Sequence, residues 1–114
     1  MDSPALEHRA FRMKLNPGQA TEYRRRHDAI WPEISALLHD AGVCDYRIYL
    51  DEETHILFAA MTVTADNSVG DLRHKAIMKR WWTMMADIME TNDDLSPREA
   101  QLEPMFALKG PDQA

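Results

Sequence analysis

The chain has 114 residues, the size of one domain that can bury about two-thirds of its unfolded surface. Its 45% hydrophobic and 28% charged residues describe a globular chain and not a disordered one. Nineteen acids against thirteen bases leave a net charge of −6, which argues against nucleic acid or an anionic membrane surface as a partner, since both are held by clustered Lys and Arg.

Residues 8–15 alternate, with Phe11, Met13 and Leu15 on one side and Arg12 and Lys14 on the other, which predicts a strand. Asn16-Pro17-Gly18 ends it. Residues 19–41 take up a helical period through Tyr23, His27, Ile30, Trp31, Ile34, Leu37, Leu38 and Ala41. Pro32 interrupts this run and restricts Trp31 to an extended conformation, so two helical pieces are expected, with a break near residues 27–31. Pro32 then opens the second piece, and Gly42 closes it. Residues 43–50 and 55–64 read as a strand pair around a polar turn at 51–54. In the second of these strands Ile56, Phe58 and Ala60 face one way, and Leu57, Ala59, Met61 and Val63 the other. Two apolar faces predict a central strand covered on both sides.

Residues 66–89 read as one long helix with a wide apolar surface. Residues 90–98 form a polar loop, and 102–108 a last strand in which Pro104 demands an edge or bulge position. The order is βαββαβ, an α+β, ferredoxin-like pattern: a four-stranded antiparallel sheet with helices on one face. It is expected to occupy residues 8–109, between loose tails at 1–7 and 110–114. The sheet face away from the helices is expected to be covered by a second copy of the chain, giving a homodimer packed sheet to sheet.

Few side chains stand out chemically. Tyr23 and His27 are four apart and share a helix face with Ile30 and Ile34, next to the Pro32 break. Two readings suit His27: a general acid/base working near neutral pH, or a core histidine with both nitrogens bonded to backbone. Tyr46 shares a strand face with Ile48 and Leu50, where its hydroxyl can meet a ligand or a main-chain carbonyl. Trp81 and Trp82 point about 100° apart on a helix. One can pack in the core while the other walls a pocket, a surface suited to the apolar face of a sugar ring, or both can be plain core. Arg24, Arg25 and Arg26 fan out around their helix, so they form no single patch, though one of them can reach a pocket. The histidines make no HxH or HExxH pattern, and Cys44 is the single cysteine, so neither a metal site nor a disulfide is expected. Residues 1–9 carry Asp2 and Glu7 and no apolar h-region, which argues against a signal peptide, and no apolar run reaches membrane-helix length. A soluble cytoplasmic domain handling a small ligand is the expectation.

In combination these residues resemble the L-rhamnose mutarotase family. The resemblance runs through Asn16-Pro17, Glu22-Tyr23-Arg24-Arg25-Arg26-His27 and Ile30-Trp31-Pro32-Glu33. It continues in Asp45-Tyr46-Arg47-Ile48-Tyr49-Leu50-Asp51, Leu57-Phe58-Ala59, Lys79-Arg80-Trp81-Trp82 and Met85-Ala86-Asp87-Ile88-Met89. It closes on Asn92, Asp94, Ser96-Pro97 and Phe106, covering roughly residues 8–108. The resemblance implies a homodimer of the dimeric α/β-barrel type that interconverts the α and β anomers of L-rhamnose, an isomerase without metal or organic cofactor. It places the family's proton donor on His27, its sugar-binding tyrosines on Tyr23 and Tyr46, and its sugar-binding tryptophans on Trp81 and Trp82. The family tends to read Asn-Pro-Asp-Asn-Ser-Pro where this chain has Asn92-Asp93-Asp94-Leu95-Ser96-Pro97, so sugar preference is the part of the expectation this loop leaves open. Two rival readings share the architecture: a cofactor-free monooxygenase and a non-catalytic sugar-sensing module.

Overall fold

A computed structural model describes residues 5–111. The elements are β1 (Leu6–Lys14), α1 (Ala20–Asp28), α2 (Pro32–Asp40), β2 (Val43–Asp51), β3 (Ile56–Thr64), α3 (Ala76–Met85) and β4 (Ala100–Gln101), with 3₁₀ segments at Val69–His74 and Ala86–Ile88. Of the two expected tails, residues 1–4 and 112–114 lie outside the described residues.

The strands form one sheet in the order β2-β3-β1-β4, every pairing antiparallel, which is the ferredoxin-like order. The central pair β1–β3 runs in unbroken register from Leu6 opposite Thr64 to Lys14 opposite Ile56. That register puts Phe11, Met13, Leu57, Ala59 and Val63 on the helix-covered face, where all are buried. From above, Tyr23, Ile34, Met78, Trp81, Met85 and Ile88 close the core.

The turns follow from their residues. Gly18 has φ +81°, and the Gln19 N–H donates to the Asn16 carbonyl at 3.3 Å, so Pro17 and Gly18 fill the two middle positions of a tight turn. Trp31, extended at φ −62° and ψ 133°, caps the N-terminus of α2, and Pro32 occupies its first turn as expected. Gly42 has φ +104°; a Cβ there would stand 2.6 Å from the Thr64 hydroxyl oxygen and 2.9 Å from Asn67 Cβ, so only glycine fits.

Two sequence expectations need correction. The helix expected over 66–89 is broken at Lys75, which is extended at φ −84° and ψ 130°; a 3₁₀ segment without a buried residue precedes it, and the true helix begins at Ala76. The final strand is not at 102–108 but is the two residues Ala100–Gln101, opposite Arg12 and Phe11. Leu102 N–H still donates to the Ala10 carbonyl at 2.9 Å, but the next N–H that would face β1 belongs to residue 104, a proline with none to give. Beyond it Met105, Phe106 and Leu108 stand almost wholly exposed.

No described residue covers the other sheet face. That face carries Phe58 and its cross-strand neighbour Tyr49, both exposed, with Ala60 two residues along β3, and Leu6 at the far end opposite Thr64.

Candidate active site

Between the helices and the sheet lies a cavity of about 1210 Å³. Its lining includes Tyr23 and His27 from α1, Tyr46 from β2, and Trp81 and Trp82 from α3. All five residues singled out in the sequence therefore meet at one cavity, although they come from three elements.

The α1 helix sets the centre. The four-residue spacing of Tyr23 and His27 stacks the two rings, with centroids 4.3 Å apart and planes 27° from parallel. Trp81 meets His27 edge-on at 5.5 Å and meets Trp31 edge-on at 5.1 Å. The residue held extended by Pro32 thus buttresses the indole that buttresses the imidazole. On the sheet side Phe11 meets Tyr46 edge-on at 6.2 Å.

His27 Nδ1 lies 3.1 Å from the Tyr23 carbonyl oxygen. A carbonyl can only accept, so Nδ1 carries the proton and Nε2 is the nitrogen left to exchange one. Only half of the core-histidine reading therefore holds: one nitrogen is tied to backbone, and the ring still lines the cavity. Burial holds the His27 pKa below 6.5, opposed by the Tyr23 carbonyl and by the nearby Asp28. Burial also raises the phenols of Tyr23 and Tyr46, with Tyr23 and then Glu99 adding to the effect on Tyr46. Both tyrosines are therefore fixed hydroxyl donors across the physiological range.

The arginine run divides as its fan geometry requires. Arg24 reaches the cavity lining. Arg25 stays exposed on Glu22. Arg26, only 15% exposed, donates to Glu22 at 2.6 Å, to the Met84 carbonyl at 2.7 Å and to Asp87 at 2.8 Å, and so ties α1 to the end of α3. The two arginines hold the Glu22 carboxyl down to about 2. The stability this pairing adds is complete above pH 4.5 and is lost as pH falls toward about 2. Arg26→Met is expected to lower the melting temperature by roughly 5 °C, the shift that loss of about 1 kcal/mol in the carbonyl bond produces in a domain this size. An unchanged melting temperature would show that the clamp is idle.

The divergent loop reaches the site through Pro97, which lines the cavity. Asn92 binds it together, donating to the Ser96 hydroxyl at 3.0 Å and the Pro97 carbonyl at 3.3 Å. Leu95 sits at φ +68°, a left-handed conformation that asparagine tolerates better than leucine.

Sequence reasoning passed over Glu99 and Gln101, which also line the cavity. Phe11 faces the helices and pairs with Gln101, so alternation carries both residues to that face. The expected strand began at 102, too late to show it. Among the described residues no three His, Cys, Asp or Glu side chains gather as a metal's ligands would.

A family model described as L-rhamnose mutarotase matches residues 8–108. The chain belongs to the L-rhamnose mutarotase family. It is 56% identical over 100 residues to an L-rhamnose mutarotase from Brucella anthropi, covering 88% of this chain and 94% of that one. It is 52% identical over 104 residues to one from Burkholderia orbicola, covering 91% of this chain and all of the relative. A solved L-rhamnose mutarotase from Formosa agariphila superposes with a TM-score of 0.84 at 48% identity, covering 90% of this chain and 99% of that one. A Pseudomonas aeruginosa structure at 16% identity and a TM-score of 0.55 shares the fold alone.

Proposed function

We propose that the chain is an L-rhamnose mutarotase, an isomerase that interconverts the α and β pyranose anomers, with His27 as its proton donor. The observation that carries this is the His27 ring, anchored through Nδ1 and lining an aromatic cavity, in a chain of the mutarotase family.

Mutarotation opens the ring, turns the aldehyde about C1–C2 and closes it again. Opening breaks the C1–O5 bond as the C1–O1 bond becomes a carbonyl. O5 receives a proton and the C1 hydroxyl loses one. The His27 imidazolium, with Nε2–H available, protonates O5, and on closure the same nitrogen takes the proton back. A pKa held down by burial makes the cation a ready donor. Tyr23 holds His27 by stacking and through its carbonyl, and the Tyr46 hydroxyl meets a ring substituent. Trp81 and Trp82 wall the sugar's apolar face and methyl group. The test is proton saturation transfer on equilibrated L-rhamnose. Irradiating one anomeric proton should deplete the other only with protein present, and no transfer at catalytic concentrations would sink the assignment.

We place the enzyme in the cytoplasm as a homodimer. Cys44 is an exposed free thiol, which suits a reducing compartment. Exposed Phe58 and Tyr49 on the uncovered sheet face, with the exposed apolar side chains of residues 105–108, suit a second copy. Sedimentation equilibrium should give twice the chain mass at micromolar concentration, and Phe58→Glu should halve it. A wild-type monomer would refute the sheet-to-sheet dimer.

A further inference from the structure

The geometry points to Glu99 as the base that works opposite His27, exchanging the proton of the C1 hydroxyl while His27 exchanges the proton of O5. This inference rests on the mutarotase reading, and it supplies the second proton-transfer group the reaction requires.

Three observations carry it. Glu99 lies two residues before Gln101 and hence on the sheet face that looks at the helices, and it lines the same cavity as His27 and Tyr46. It enters the cavity from the β4 edge of the sheet, whereas His27 enters from α1. Its backbone is pinned on both sides: Arg98 N–H donates to the Glu90 carbonyl at 3.2 Å, and Leu102 N–H to the Ala10 carbonyl at 2.9 Å.

The other carboxylates at the cavity do not meet this geometry. Asp28 follows His27 on the same helix, so it cannot face the imidazole across a ligand. Glu52 sits in the turn between β2 and β3, past the end of the strand. Glu99 is an exposed residue that lines the cavity, yet its surroundings desolvate the carboxyl and push its pKa above the usual value, and among the described residues no hydrogen bond or cation acts against this. Its charge also reaches the Tyr46 phenol, whose pKa is raised first by burial, then by Tyr23 and then by Glu99. A carboxylate that is partly dehydrated and has no partner among the described residues is a stronger base than one tied up in an ion pair.

The proton count balances. In opening, the Glu99 carboxylate takes the O1 proton as the C1–O1 bond becomes a carbonyl and the C1–O5 electron pair goes to O5, which His27 protonates. After rotation Glu99 returns its proton to the carbonyl oxygen, and His27 recovers its own from O5 as the C1–O5 bond re-forms. The open-chain aldehyde leaves both groups ready for the reverse step.

Glu99→Gln keeps the shape and removes the base. Saturation transfer at varied L-rhamnose concentration should show kcat lowered about 10²-fold with KM within about threefold of wild type and an unchanged melting curve. Glu99→Ala should regain part of the lost rate when formate is added, as a purely structural carboxylate would not. A kcat within about twofold of wild type in Glu99→Gln would overturn the inference. So would a raised KM at constant kcat, or no formate rescue in a folded Glu99→Ala. A wild-type protein that exchanges no anomers would instead overturn the mutarotase reading itself.

Discussion

His27→Asn is expected to lower anomer exchange on L-rhamnose by about 10²–10⁴-fold, the contribution of one positioned acid/base, while the fold persists. The asparagine amide can still donate to the Tyr23 carbonyl, as Nδ1 does at 3.1 Å, so the helix keeps this bond, but no exchangeable nitrogen remains at the position of Nε2. The pH dependence has a definite sign. Donation needs the imidazolium, and burial lowers the His27 pKa below 6.5. The His27-dependent rate therefore falls as pH rises through that lowered pKa, and with Glu99 as the opposing base it falls again at low pH as that carboxylate takes up a proton. A limb centred at or above 6.5 would show that the ring is not dehydrated in the working enzyme. Exchange by His27→Asn at near-wild-type rate, at any pH, would remove His27 from the mechanism. Folding carries the opposite sign: the unfolded chain binds the His27 proton at 6.5 and the folded chain does not, so this residue's contribution to stability is lost as pH falls below 6.5.

The parts of the fold written in the sequence were those fixed by local rules. Pro32 marks the α1–α2 break because its ring excludes the helical conformation at Trp31, which is extended at ψ 133°. The two-sided pattern of β3 marks a central strand because side chains alternate by geometry, and the register places Leu57, Ala59 and Val63 inward as that alternation requires. The break at Lys75 is invisible to periodicity. Val69 and Leu72 are three apart, a spacing that a 3₁₀ segment and an α-helix both satisfy, and Ala76 resumes in phase. The β4 position failed for a related reason. Its pairing is set by where Leu102 meets Ala10, a contact about ninety residues away in sequence, and Pro104 limits how far the ladder runs. The site divides in the same way. The Tyr23–His27 pair follows from helix spacing alone, whereas Glu99 is seen to line the cavity only once the two-residue strand that follows it is aligned against β1.

Trp81→Ala and Trp82→Ala are expected to separate core from pocket wall. Trp81 is 6% exposed and meets both His27 and Trp31 edge-on. Removing a buried indole leaves a cavity and costs about 3–5 kcal/mol. In a domain of this size that corresponds to a fall in melting temperature of roughly 15–30 °C. Trp81→Ala should therefore be destabilised first and inactive as a consequence, because the ring that fixes the imidazole edge has gone. Trp82, about 100° around the helix, is only partly buried and lines the same cavity. Its loss is expected to remove less from the core and, with Trp82 in the proposed role, more from the sugar's apolar face. Trp82→Ala should melt within about 5 °C of wild type, since the stability lost is about 1 kcal/mol or less. Its KM for L-rhamnose should rise about tenfold, equivalent to about 1.4 kcal/mol, with kcat nearly unchanged, because stacking on the ring is equally strong before and during opening. Thermal melts paired with saturation-transfer kinetics decide the matter. If Trp82→Ala melts as early as Trp81→Ala and the folded fraction keeps its KM, then Trp82 is plain core and the sugar rests on Trp81 and the tyrosines alone.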